Sequence, residues 1–388
     1  MTICPNPDEL QQFLEGQLDP SQSTSMALHI DHCSTCQAAC ERLTQPIEGS
    51  HSDTLQANFS VSKVFFRLTK LLDSRCDGRE ITDKDQPLPE YIGRYRVLNL
   101  IARGAQGTLF RAFDDALKRP VAIKLMHGAF AQSKVERSRF MKEAQLNAAL
   151  DDPHIVGIFE VGMTDDSIPY LVLEFVDGVT LAHFRQTHPI STDQAVRYIR
   201  QVASALQAAH RAGLIHRDVK PDNVLIDSTN GLARLTDFGL ARDESTESRF
   251  TQVGTILGTP NYMSPEQITS PQKVDERSDL FSLGIMLYEL LVGEPPFRGS
   301  IGALMQQIVE REPIPPRQLN EAIPQDLETL TLKLISKEPS SRFSSASELI
   351  AELDRWLSGI PILSRPVSRL EKAWRWCLRN PMQAAASC

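Results

Sequence analysis

His216-Arg217-Asp218-Val219-Lys220-Pro221-Asp222-Asn223, followed nineteen residues after Asp218 by Asp237-Phe238-Gly239, is the stretch on which the reading of this chain turns. Downstream of it lies Ser264-Pro265-Glu266; upstream lie Val121-Ala122-Ile123-Lys124 and the glycine pair Gly104 and Gly107. Tyr95 to Ile101 and Val121 to Leu125 read as strands, with the two glycines punctuating the turn after the first. Val135 to Leu150 has helical period, with Phe140, Ala144 and Ala148 recurring on one side, and Tyr170 to Val176 is a third buried strand. Beyond it the pattern is mostly helical, at Thr192 to Ala212, Asp279 to Val292, Ile301 to Val309 and Leu327 to Ile335. A strand-rich part followed by a helix-rich part predicts a ligand cleft between them. Lys124 falls inside a buried strand, where an unpaired charge is costly, so it needs a partner or a ligand.

These strings, in this order, resemble the signature set of eukaryotic-type protein kinases, as found in bacterial serine/threonine kinases, over about residues 94–357. The resemblance implies an α+β, two-lobed protein kinase fold, with a β-rich small lobe and an α-rich large lobe. It also implies transfer of the ATP γ-phosphate, with Mg²⁺, to hydroxyls of protein substrates. Phosphoryl transfer asks for positioning and charge neutralisation more than for covalent chemistry. Asp218 resembles the catalytic base, Lys220 the lysine that neutralises the transferred phosphate in serine/threonine kinases, and Asn223 and Asp237 the Mg²⁺ ligands. Their oxygen donors suit a hard cation that keeps some of its waters. Lys124 resembles the lysine that holds the α- and β-phosphates and pairs with a carboxylate of the following helix; Glu143 falls where that carboxylate is expected, with Glu136 as the alternative. The glycine turn reads Ile101-Ala102-Arg103-Gly104-Ala105-Gln106-Gly107-Thr108-Leu109. Glycines there let backbone N–H groups approach phosphates. Ala102 replaces the first glycine of the family pattern, which predicts a modest loss of nucleotide affinity. By resemblance Ala122 and Leu225 enclose the adenine, backbone groups of Glu174 and Val176 bond to it, and Leu173 gates the back of the pocket.

Between Asp237 and Glu266 lie Ser245, Thr246, Ser248, Thr251, Thr255 and Thr259, in a stretch without helical or strand period. In the family the arginine at Arg217 pairs with a phosphorylated activation loop, so control by phosphorylation at Thr251 or Thr255 is expected. Thr259 is expected to contact Asp218 and Lys220. Ser264-Pro265-Glu266 departs mildly from the family's Ala-Pro-Glu. Glu266 is expected to pair with Arg342, and Asp279 to hold the catalytic loop from the base of the large lobe.

The chain has 388 residues, 41% hydrophobic and 23% charged, enough for two to three domains, and this excludes collagen, coiled coil and wholesale disorder. A net charge of −8 gives no global case for nucleic-acid binding. No apolar run reaches transmembrane length, and no secretory leader is read at the start, so a cytoplasmic protein in a reducing compartment is expected. Four of seven cysteines (Cys4, Cys33, Cys36, Cys40) fall in the first forty residues, where clustering favours metal over disulfide. His29, Cys33 and Cys36 share one helical face, and with Cys4 make a Cys₃His set suited to structural Zn²⁺; Cys40 or His32 could replace a ligand. The arrangement resembles a zinc-binding anti-sigma-factor domain, which implies a protein partner; the alternative is a helical hairpin with reduced cysteines. Residues 1–45 thus read as a small helical module, 46–93 as a linker with an amphipathic helix over Val61 to Leu72, and 358–388 as a basic tail. Six basic side chains against one acidic between 355 and 379, with Trp374 and Trp376, suit the cytoplasmic edge of a membrane. The tail resembles a juxtamembrane segment of larger bacterial kinases, which makes the chain a fragment or a truncated relative; a disordered basic tail is the alternative. Two other functions remain open on sequence grounds: a nucleotide-binding pseudokinase scaffold, and a sigma-factor-binding regulator acting through residues 1–45.

Overall fold

The protein is described by a computed structural model, which covers residues 4–5, 88–104, 107–126, 134–238 and 260–365, with backbone alone for 134–140. The chain divides into two units, Met1–Ser62 and Lys63–Cys388; apart from Cys4 and Pro5, the described residues belong to the second. No helix among them is long and apolar enough to cross a membrane. The expected helical module, the amphipathic linker helix and the basic tail lie outside the described residues, apart from their edges.

The small lobe is an antiparallel sheet. Its strands are β1 (Tyr91–Ile92), β2 (Tyr95–Gly104), β3 (Gly107–Asp114) and β4 (Arg119–Met126). After helix α1 (Lys134–Ala148) come β5 (Ile158–Met163) and β6 (Pro169–Glu174), giving the order β1-β2-β3-β4-β6-β5. β4 and β6 are interior strands, which is why Val121, Ile123, Leu171 and Val172 form a continuous buried run rather than an alternating one. Their register sets Lys124 opposite Leu171 and Ala122 opposite Leu173. At the start of β3 a Cβ on Gly107 would stand 2.4 Å from the Leu125 carbonyl oxygen, so this glycine is required by strand contact as well as by any phosphate. In α1 the inward positions are Ala144 and Asn147, whereas Ala148 is exposed. That corrects the apolar side read from the sequence, because a three-residue step follows Ala144.

The large lobe opens with β7 (Gly178–Thr180), α2 (Leu181–Thr187) and α3 (Thr192–Arg211). Ser191 caps α3 by accepting from the Gln194 amide, and the buried face of the helix carries Val196, Ile199, Val202 and Leu206. β8 (Val224–Asp227) and β9 (Ala233–Leu235) complete a three-stranded sheet with β7. There follow α4 (Pro265–Thr269), α5 (Glu276–Val292), α6 (Ile301–Glu310), α7 (Pro316–Leu319), α8 (Gln325–Leu334) and α9 (Ala346–Leu357). α5 is capped by the Asp275 side chain and stopped by left-handed Gly293, and it is buried nearly all round, as a central core helix must be. A Cβ on Gly284 would meet Leu334 Cβ at 2.5 Å, so α5 and α8 approach closely there. Glu289, the one acidic residue of the apolar run Phe281 to Val292, is buried but bonded: the Tyr262 hydroxyl donates to it at 2.5 Å and Arg185 pairs with it at 2.7 Å.

Beneath α4 the expected Glu266–Arg342 pair is present and two-pronged, at 2.7 and 2.9 Å. Ser278 also donates to Glu266, and Arg342 donates further to the carbonyls of Ser336, Arg277 and Lys337. All five N–H donors of the guanidinium are thus used, which a buried arginine requires. Glu266→Ala leaves that charge buried and uncompensated, and is expected to lower stability by about 3–5 kcal/mol, read as a drop in denaturant midpoint.

Candidate active site

The site is built on a carboxylate set in the core of the large lobe. Asp279 lies in the first turn of α5, where the helix dipole favours negative charge, and it is fully buried. Its two oxygens accept from the backbone amides of His216 at 2.8 Å and Arg217 at 2.7 Å, and from His210 Nε2 at 2.8 Å. Gln267 of α4 donates to the Arg217 carbonyl at 2.9 Å. With both sides of its peptide held, Arg217 adopts φ 63°, and Asp237 adopts φ 61°, a region that costs a non-glycine residue about 1–2 kcal/mol. His216 joins the two strained places. Its Nδ1 accepts from the Asp218 amide at 3.2 Å, its Nε2 donates to the Thr236 carbonyl at 3.0 Å, and its ring lies 4.7 Å from that of Phe238.

Within this frame the side chains named from the sequence converge. Lys220 Nζ donates to Asp218 Oδ2 at 2.9 Å, and Asn223 Nδ2 donates to the same oxygen at 3.0 Å and to the Asp218 carbonyl at 2.7 Å. Lys124 Nζ pairs with Asp237 at 2.7 Å across the two lobes. The Thr236 amide donates to the Asn223 carbonyl at 2.9 Å, so the segments bearing Asn223 and Asp237 are bonded side by side. Asn223 spends its amide nitrogen on Asp218, which leaves its amide oxygen for a cation, and Asp237 brings a carboxylate on the neighbouring segment. Two hard oxygen donors on adjacent backbone fit Mg²⁺.

Glu143 is half-buried on α1, and Ala122 is buried on β4. Leu225, Glu174 and Val176 are half-buried around the connection between the lobes. Leu173 is buried and, with Asn147, Leu171, Thr236, Asp237 and Phe238, lines a small pocket behind that connection. Ile101, Ala102, Arg103 and Gly104 are exposed, Gly107 and Thr108 buried and Leu109 half-buried, while Ala105 and Gln106 lie outside the described residues. So do the hydroxyl-rich stretch from Ser245 to Thr259 and the metal set His29, Cys33 and Cys36; Cys4 is exposed. Sequence reading did not name His210, Gln267 or Arg234. The last carried a signal, since a charged residue in the short buried run Leu232-Ala233-Arg234-Leu235 demands a partner, and Arg234 has one in Glu174 at 2.5–2.6 Å.

Electrostatics reinforce the frame. Burial alone pushes the Asp279 carboxyl up, but the hydrogen bond and charge of His210, with those of His216, outweigh it and hold the group below the ordinary range. Burial pushes the His216 imidazole down, against the pull of Asp279, which agrees with a neutral ring that donates from Nε2 and accepts at Nδ1. A base depressed in the folded state gives up stability once pH falls below its unfolded value, near 6.5. A depressed acid gives it up lower, as pH falls from 3.8 toward its folded pKa. The melting temperature is therefore expected to decline in two stages on acidification, the first starting near 6.5. Asp279→Asn, which turns an N–H₂ toward backbone donors, is expected to cost at least about 3 kcal/mol, checked by thermal melting.

Residues 95–353 match the family described as protein kinase domain. The serine/threonine-protein kinase PknB of Mycobacterium leprae is 40% identical over 278 residues, which is 70% of this chain and 44% of that protein. A probable serine/threonine-protein kinase of Streptomyces coelicolor, SCO3848, is 37% identical over 276 residues, 70% of this chain and 41% of the relative. The chain thus spans less than half the length of these curated relatives. The crystal structure of the Mycobacterium tuberculosis PknI kinase domain superposes with a TM-score of 0.55 at 24% identity, covering 70% of this chain and 99% of that one, a likeness of fold. With the two-lobed fold, the clamped catalytic loop and the family match over residues 95–353 in agreement, the chain belongs to the protein kinase domain family.

Proposed function

We propose that this chain is an active serine/threonine protein kinase that uses ATP and Mg²⁺. The observation that carries the reading is the pair of charge contacts flanking the cleft: Asp218 held by Lys220 and Asn223, and Asp237 held by Lys124. Asp218 presents a carboxylate whose orientation is fixed by two donors, and it accepts the proton of the substrate hydroxyl. Lys220, two residues on, faces the same carboxylate and offsets charge on the phosphate in transfer. Asn223 and Asp237 would hold Mg²⁺, which when bound neutralises phosphate charge. Lys124 draws Asp237 toward the small-lobe sheet, so the strand that positions nucleotide and the loop that positions metal move together. Glu143 supports Lys124 from α1, and the backbone of Gly104 to Gly107 approaches the phosphates. The backbone of Glu174 and Val176 bonds to adenine, with Ala122 and Leu225 enclosing it.

Incubation with labelled ATP, Mg²⁺ and a generic basic protein tests this. Wild type is expected to transfer label to Ser or Thr, and Asp218→Asn to lose at least about 100-fold in rate. No labelling by either protein under several metals would favour a nucleotide-binding scaffold instead, and equal labelling by the two would remove Asp218 from the reaction. Phosphatase pretreatment in the same assay reads the regulatory part: we place activating phosphates at Thr251 or Thr255, and unchanged activity after treatment counts against that placement.

The cysteine spacing supports a second, separate proposal, that Cys4, His29, Cys33 and Cys36 bind structural Zn²⁺ and form a protein-binding module of anti-sigma-factor type. Metal analysis of the full chain is expected to give one zinc per chain, lost in Cys33→Ser with Cys36→Ser; zinc absent from the wild type removes the proposal. The basic, Trp-bearing segment after residue 365 supports contact with an anionic membrane surface, which vesicle co-sedimentation measures.

A further inference from the structure

Glu174 is the last residue of the interior strand β6, where the chain passes from the small lobe to the large. Its side chain is committed elsewhere than to the cleft. Arg234 Nη1 donates to Glu174 Oε1 at 2.6 Å and Nη2 to Oε2 at 2.5 Å, a two-pronged pair. The same Nη2 donates to the Ile155 carbonyl at 2.9 Å. The segment between α1 and β5 is woven into this contact on both sides. The Glu174 amide donates to the Gly157 carbonyl at 2.8 Å, the Val156 amide to the Leu235 carbonyl at 2.9 Å, and the Leu235 amide to the His154 carbonyl at 2.7 Å. Three stretches far apart in sequence therefore meet at one guanidinium: the connection between the lobes, the loop after α1, and β9.

The place of Arg234 along the chain gives this contact its significance. It precedes Asp237 by three residues, and it stands opposite Leu225 in the β8–β9 register, so the two side chains share a face. The Arg234 side chain is 13% exposed and that of Glu174 34%, and Arg234 Nε is buried without a hydrogen-bond partner among the described residues. A buried guanidinium with one donor unmet is a poor device for stability alone, since an apolar pair of like volume would avoid the cost. It is a good device for fixing a distance, because the planar fork allows only one arrangement with a carboxylate.

We propose that Arg234 is a positioning residue for the nucleotide. Its pair with Glu174 fixes the span between the adenine-receiving backbone at residues 174–176 and the metal-binding carboxylate of Asp237. The inference rests on the reading above in which those two elements serve one bound ATP. With the pair intact, the base and the phosphates meet partners already spaced for them. With it broken, each can still be met, but not both without distortion, and the loss appears in affinity for ATP.

The experiment compares full-length wild type, Arg234→Ala, Glu174→Gln, Arg234→Lys and the exchanged pair Arg234→Glu with Glu174→Arg. For each, KM for ATP, kcat, calorimetric Kd for ATP with Mg²⁺ and melting temperature are measured. Arg234→Ala is expected to raise KM and Kd by about five- to tenfold while kcat changes by less than about threefold. Arg234→Lys, which keeps charge but not the fork, is expected to fall between, and the exchanged pair to recover most of the affinity. If Arg234→Ala does not fold, Arg234→Lys and Glu174→Gln carry the same comparison. Affinity unchanged beside a lowered melting temperature would show a packing role and overturn the proposal. A raised kcat with unchanged KM would show a restraint on lobe movement and overturn it equally. Wild type that binds ATP but transfers no phosphate would defeat the kinase reading alone, leaving the Kd comparison to decide this one.

Discussion

Everything chemical in this protein hangs from one buried carboxylate. Asp279 is removed from water completely and would be intolerable there without donors. It has them: two consecutive backbone amides and an imidazole, all at 2.7–2.8 Å. Because the donors are main-chain groups of His216 and Arg217, satisfying the charge and fixing the catalytic loop are the same event. Because Asp279 stands on α5, the most buried helix of the large lobe, the loop inherits the rigidity of the hydrophobic core. The strained φ of Arg217 is what such a clamp can sustain.

The same logic recurs one layer out. Glu266 is to α4 what Asp279 is to the loop, a buried carboxylate whose partner, Arg342, gathers three carbonyls from two other segments. Gln267, next in sequence, reaches back to the Arg217 carbonyl. Ser264 and Gln267 close a capping box at the start of α4. The segment that follows the activation stretch is therefore tied at once to the catalytic loop and to the far base of the lobe. Polar contacts specify the geometry, while the apolar core beneath supplies most of the stability.

How much of this was legible beforehand varied with the physics involved. Asp218, Lys220, Asn223, Asp237 and Lys124 stood out because their spacing is that of a family, and the structure brings them within hydrogen-bond reach of one another in two clusters. The long apolar strands and helices were legible from period. The short strands β7, β8 and β9 were not, since three or four residues contain too few repeats to show one. The phase of α1 was misread at Ala148 because the helix has little apolar asymmetry to set it, and a polar residue, Asn147, takes the inward place. Glu266 and Arg342 lie 76 residues apart, so only the resemblance could join them. Arg234 was overlooked although a charge in a buried three-residue strand is a question that sequence alone can pose.

The two-residue strand β1 has a bearing on how the molecule behaves in a crowd. A curled sheet ends in edges whose unpaired amides and carbonyls invite a second chain to add itself as a further strand. On one side, the outermost strand Tyr91–Ile92, joined to β2 through the turn at Gly93 (φ 57°), pairs only with Tyr95 and Arg96, so among the described residues β2 keeps an open border from Asn99 to Gly104. On the other, the guanidinium of Arg119 lies 3.6 Å from the ring of Phe159 on β5, placing a charge over the apolar side chain that such an addition would bury. The two borders of the sheet are thus unequal: a charge stands over the one at β5, while the one at β2 is the side along which a further strand has backbone groups to meet.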